Sequence, residues 1–96
     1  MARVIVAEPA QQDLAELIRT HSLPSSTRLR VRQSIEPLAT FPRLGPALAG
    51  RWEGFRSILG PWSWMVIVYA HDDDQDLVIV VTIQDTRSGR SLMSLR

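Results

Sequence analysis

Residues 3 to 7, RVIVA, set three β-branched apolar side chains in a row, and this run predicts a first strand. Glu8-Pro9 interrupts it. Pro9 suits the first turn of a helix, and AQQDLAELIRTH continues in good helix formers. Leu14, Leu17 and Ile18, with Ala10 one turn earlier, give that helix its apolar stripe. Leu23-Pro24 closes it, and Ser25, Ser26 and Thr27 are candidate caps for a second helix over about 25–40. Val31, Ile35, Leu38 and Ala39 form the second stripe, with Pro37 expected to kink it or remove one hydrogen bond. FPRLGPALAG, rich in proline and glycine, predicts a loop.

Three further strands follow: 53–59 (EGFRSIL), 63–70 (SWMVIVYA) and 77–84 (LVIVVTIQ). Gly60-Pro61 and the DDDQD block supply the turns between them. The last strand is almost continuously apolar, so a central place in the sheet is expected. On the middle strand, alternation sets Trp64, Val66 and Val68 on one face and Met65, Ile67 and Tyr69 on the other. The order β-α-α-β-β-β predicts an α+β domain, two N-terminal helices on a small, largely antiparallel sheet. One domain over 1–96 is expected, ending in a weakly patterned, flexible tail at 88–96.

Composition narrows the chemistry. The chain has 96 residues, no cysteine and a formal charge of +1. Disulfides and thiolate metal sites are therefore excluded, and a reducing compartment fits. The run at 3–7 is too short for a signal segment, and no apolar stretch approaches the roughly 18 residues of a membrane span. A cytoplasmic protein without membrane contact is expected. All eleven basic residues are arginine, the better side chain for forked contacts to phosphate or carboxylate. Asp72, Asp73, Asp74 and Asp76 concentrate negative charge in one turn. DDDQD lacks the glycine and distal glutamate of a calcium loop, so it reads as a solvated hairpin turn. No metal or cofactor is expected.

Several spaced residues resemble the RelE/ParE superfamily of toxins from type II toxin–antitoxin systems. They are Pro9, Ala10, Asp13 and Leu14 in the first helix; Leu38, Pro42, Gly45, Leu48 and Gly50 in the linker; then Arg56, Gly60, Tyr69, Gln84, Asp85 and Arg87. The resemblance spans about residues 3–90. It implies a cytoplasmic toxin neutralised by a cognate antitoxin. One branch of the family cleaves mRNA on the ribosome, and another poisons DNA gyrase. The sequence departs from the common pattern in two places. Trp62 and Ser63 stand where members often carry an arginine after the turn glycine, and the tail lacks the tyrosine or histidine of many nuclease members.

RNA cleavage needs a proton acceptor for the 2′-hydroxyl, donors for the developing phosphate charge and an acid for the 5′-oxygen. Arg56 and Arg87 are the candidate phosphate donors, converging if their strands are neighbours, and Tyr69 is the candidate catalytic phenol. Arg51, Arg90, Arg28 and Arg32 are candidates for binding RNA or another target. His21 reads as a helix C-terminal residue favoured by the helix dipole, and His71 as a solvated loop residue. The leading expectation is ribosome-dependent mRNA cleavage without a metal, with ribosome and mRNA as partners. The alternatives are a gyrase-binding toxin with no chemistry of its own, or a member that retains only antitoxin binding. The antitoxin is expected to be acidic and to clamp the apolar surface of the helices and the sheet edge.

Overall fold

The computed structural model describes residues 1–87. Strand β1 (Arg3–Val6) leads into α1 (Glu8–Thr20) and α2 (Thr27–Ile35); β2 (Arg56–Leu59), β3 (Met65–Asp72) and β4 (Leu77–Asp85) follow. The sheet order is β1-β4-β3-β2. β1 runs parallel to β4, and the other two pairings are antiparallel. Both helices cover one face, so the architecture is α+β as expected. The apolar β4 lies inside the sheet, as its composition requires.

α1 begins with Pro9 in its first turn. It ends where Ser22 adopts a left-handed φ of 51° and the Leu23 N–H returns to the Ile18 carbonyl, a C-terminal cap that satisfies a last-turn acceptor. α2 is shorter than the apolar stripe suggested. It stops at Ile35, and a 3-10 turn over Glu36–Ala39 takes its place. Pro37 has no N–H to continue the α-helical ladder and its ring crowds the preceding turn. Leu38 is nevertheless fully buried, because the tighter turn still directs it into the core.

Met65, Ile67 and Tyr69 on β3 and Val78, Val80 and Ile83 on β4 pack beneath Ala10, Leu14, Val31, Ile35 and Leu38. Val80 and Ile83 are three residues apart, yet both face the helices. The register explains this: Val68 pairs with Thr82 and Tyr69 with Val80, so Val81 has no partner opposite it. That bulge shifts the alternation by one residue. Beside it, the Asp13 carboxylate of α1 accepts hydrogen bonds from the Thr82 hydroxyl and the Ile83 N–H, tying helix to strand.

On the opposite face, Val66 and Val68 are covered by Leu48, Trp52, Phe55 and Val81. The segment expected as the start of the second strand, 53–55, instead follows a 3-10 turn at Gly50–Trp52, and regular pairing begins at Arg56. The outer edge of β2 is not bare. Ala47 bridges to Arg56, Ser57 N–H donates to the Pro46 carbonyl and Leu48 N–H to that of Phe55. A Cβ on Gly45 would lie 2.1 Å from the Ser57 carbonyl oxygen, so only glycine allows this approach.

Candidate functional site

Strand order decides how the candidate residues meet. Arg56 lies on β2 and Arg87 follows β4, but β3 stands between those strands. Arg56 is opposite Tyr69, whereas Asp85, two residues before Arg87, is opposite Met65. Tyr69 and Met65 are four residues apart, roughly 13 Å of strand. Arg87 therefore lies beyond the start of β3 and Arg56 beside its middle, and their guanidiniums do not converge.

Each has its own surroundings. Arg56 is half-buried, and its Nη1 donates to the Gly45 carbonyl at 2.8 Å. The Gly45 N–H in turn donates to the Tyr69 hydroxyl at 3.0 Å, and Tyr69 is fully buried. Phenol and guanidinium thus fasten the linker onto β2 and β3 through the two polar groups of one peptide position. Arg28 and Arg32 are exposed on α2, and Arg51 is exposed on the 3-10 turn at Gly50–Trp52. Arg90 and the expected tail lie outside the described residues.

Arg87 belongs to a corner that the sequence did not reveal. Its Nε and Nη2 donate to Asp85 at 3.1 and 3.2 Å, and its guanidinium lies 4.7 Å from the centre of the Trp64 ring. His21, the C-cap of α1, stacks on Trp64 with ring centres 4.8 Å apart and planes 13° apart. Trp62 stacks on Trp64 at 6.0 Å, and the Arg30 guanidinium of α2 sits 4.8 Å from the Trp62 ring. Trp64 therefore packs on the helix side, rather than on the face of Val66 and Val68. It precedes β3 in a turn closed by Met65 N–H and the Trp62 carbonyl, so strand alternation does not apply there. Sequence distance hides the corner: positions 21, 30, 64 and 87 meet only because α1 and α2 pack over this end of the sheet.

Asp85 is the charged centre of the corner, with its side chain 14% exposed. The hydrogen bond from the Arg87 guanidinium holds its carboxyl below the usual carboxylate range. Burial opposes that shift, and the Arg87 N–H and His21 add to it. His21 Nε2 is 3.0 Å from Asp85 Oδ2, while its Nδ1 faces the Leu17 carbonyl at 3.2 Å and Thr20 Oγ1 at 3.0 Å. Both imidazole nitrogens are engaged inside the protein.

His71 is likewise not a free loop residue. It lies on β3 with its side chain 14% exposed, Nδ1 3.2 Å from Asp73 and Nε2 3.4 Å from Asp76. The aspartates of the turn also serve the backbone, since Asp72 Oδ1 accepts from the N–H groups of Asp74 and Gln75. Among the described residues no cluster of three or more histidines and carboxylates is arranged to hold a metal. No helix among them is long and apolar enough to cross a membrane.

A family model described as the ParE toxin of the parDE type II toxin–antitoxin system matches residues 4–88. No curated relative matches the sequence. Among solved structures, the RelBE2 toxin–antitoxin complex of Mycobacterium tuberculosis is 22% identical, with 88% of this chain and 96% of that chain covered and a TM-score of 0.64. The intact RelBE complex of E. coli is 16% identical over 88% and 96%, with a TM-score of 0.64. An E. coli RelE mutant bound to an antitoxin RelBc peptide is 17% identical over 99% and 94%, with a TM-score of 0.67. These similarities are in the fold.

Proposed function

The chain belongs to the ParE toxin family of type II toxin–antitoxin systems, and from that premise we propose that it arrests growth by binding DNA gyrase, with no chemistry of its own. A toxin of such a system has a cognate antitoxin as partner, and a gyrase-directed one works in the cytoplasm. One observation carries the choice of target. The chain contains one tyrosine and two histidines, which with its carboxylates are the side chains able to move protons in a metal-free cleavage. The Tyr69 hydroxyl is buried against the Gly45 N–H. His21 has both nitrogens engaged, and His71 faces an aspartate on each side. Arginine does not replace them as a base, since it stays protonated.

The exposed guanidiniums of Arg28, Arg32 and Arg51 are the proposed target-binding groups. They supply charge for recognition and association rather than for bond cleavage. Ribosome-dependent mRNA cleavage is the second reading. The exposed Arg30 and Arg87, held over Trp62 and Trp64, favour it, as cations set where phosphate could approach. Arg56 has the weaker claim, being half-buried with its Nη1 donating to the Gly45 carbonyl.

Purified protein added to purified DNA gyrase tests the proposal. Inhibited supercoiling of relaxed plasmid is expected, and it should weaken in an Arg28→Glu, Arg32→Glu variant that keeps the wild-type melting temperature. Unaltered supercoiling at a large molar excess of toxin contradicts it.

A further inference from the structure

His71 stands where three segments meet. It is the last residue but one of β3, and it lines a cleft between the β3–β4 turn and the linker residues Phe41, Arg43 and Leu44. Each of its ring nitrogens meets a carboxylate of the turn. Nε2 lies 3.4 Å from Asp76 Oδ1, and Nδ1 lies 3.2 Å from Asp73 Oδ1. An ionised carboxylate only accepts hydrogen bonds. A neutral imidazole has one N–H and one lone pair, so it serves one of these oxygens and turns its lone pair on the other. An imidazolium, with a hydrogen on each nitrogen, serves both. The ring is mostly buried, so water does not easily take the place of a missing partner.

The two carboxylates are not equivalent. Asp76 is fixed by its backbone: it takes a left-handed φ of 49°, which aspartate tolerates, and its carbonyl accepts the Arg3 N–H of β1. Its contact with Nε2 has hydrogen-bond geometry. Asp73 is 68% exposed, and its second oxygen, Oδ2, lies 3.5 Å from Arg43 Nη2 on the linker. A chain of contacts therefore crosses the cleft, from Arg43 through Asp73 to His71. Two cations near the ring, Arg43 and Arg56 of β2, oppose a second proton on it, while Asp73 and Asp76 favour one. The Asp72 carboxylate is turned to the N–H groups of Asp74 and Gln75, and Asp74 is exposed. We infer that His71 is a proton-operated clasp between the β3–β4 turn and the linker. With both hydrogens it holds Asp73 and Asp76 together. When Nδ1 gives its proton to solvent, Nε2–H keeps Asp76 and the bare nitrogen repels Asp73. Only the Asp73–Arg43 pair then spans the cleft, and an exposed pair contributes little. The clasp is closed on the acid side and opens as pH rises through the range of about 5 to 8 in which imidazoles change charge. This device goes beyond the gyrase reading and does not depend on it.

An NMR titration of the full chain across that pH range tests the inference, following the His71 ring nitrogens together with the backbone amides of Leu44 and Asp73. The expected result is that Nδ1 is the nitrogen that loses its hydrogen, and that the Leu44 and Asp73 amides shift with the same midpoint as the ring. In an Asp73→Asn variant the ring should still titrate while the Leu44 shift is lost, because the link across the cleft is gone. In His71→Gln both amides should stay flat. The melting temperature of wild type should exceed that of His71→Gln by more at the acid end of the range than at the alkaline end. Asp73 is exposed, so its variant decides the matter even where His71→Gln does not fold. A Leu44 amide that ignores the ring, or that follows it equally in Asp73→Asn, overturns the clasp. So does a neutral ring that keeps its hydrogen on Nδ1.

Discussion

Tyr69 and Asp85 show how one side chain decides between chemistry and structure. The phenol of Tyr69 reaches a backbone N–H inside the core. Tyr69→Phe should therefore cost about 1–3 kcal/mol by leaving the Gly45 N–H unpaired. At about 4–8 °C per kcal/mol for a domain of this size, calorimetry should register the loss clearly. Growth arrest per folded molecule should be unchanged. A variant with the wild-type melting temperature and no toxicity would restore the phenol to a catalytic role. Asp85 makes a prediction in pH. Its folded pKa is depressed, chiefly by Arg87. Its stabilisation is therefore complete above the ordinary carboxylate value of about 4 and is lost as pH falls through that value toward the folded one. Asp85→Asn should be less stable than wild type near neutrality, and the gap should narrow between about pH 5 and 3 in melting curves. A gap that stays constant to pH 3 would contradict the Arg87 assignment.

At the scale of elements, the linker is held more tightly than a proline- and glycine-rich loop would suggest. Gly45→Ala places a methyl against the Ser57 carbonyl. It should destabilise the protein by about 1–3 kcal/mol or more, because the obstacle is backbone and cannot rotate away. A chemical denaturation midpoint equal to wild type would show that the linker moves freely from β2. Element types and order were legible in the sequence because each depends on local pattern: the β-branched run of β1, the stripe of α1, the apolar run of β4. The end of α2 was marked by Pro37, although its outcome, a 3-10 turn that still buries Leu38, depends on the core beneath it. The Val81 bulge and the cover on β2 were not legible, since both arise from pairing between distant segments. For the same reason the candidate arginines were visible as residues but not as a site. Whether Arg56 and Arg87 meet depends on strand order, and β3 separates them.

The whole molecule carries a net charge of only +1, but that charge is divided. The aspartate turn lies at one end of the β3–β4 hairpin, while Asp85 neutralises Arg87 near the other. Exposed guanidiniums remain along α2 and at Arg51, a distribution suited to steering a large charged partner and sensitive to salt. The described fold supplies these surfaces without a free proton carrier among its tyrosine and histidines. The most direct test of this account is controlled expression in a permissive bacterium, with growth and transcript 5′ ends followed together. Arrest of growth with messages left intact is the predicted result. Arrest accompanied by new in-frame cuts within translated messages would contradict it and make the protein a ribosome-dependent nuclease.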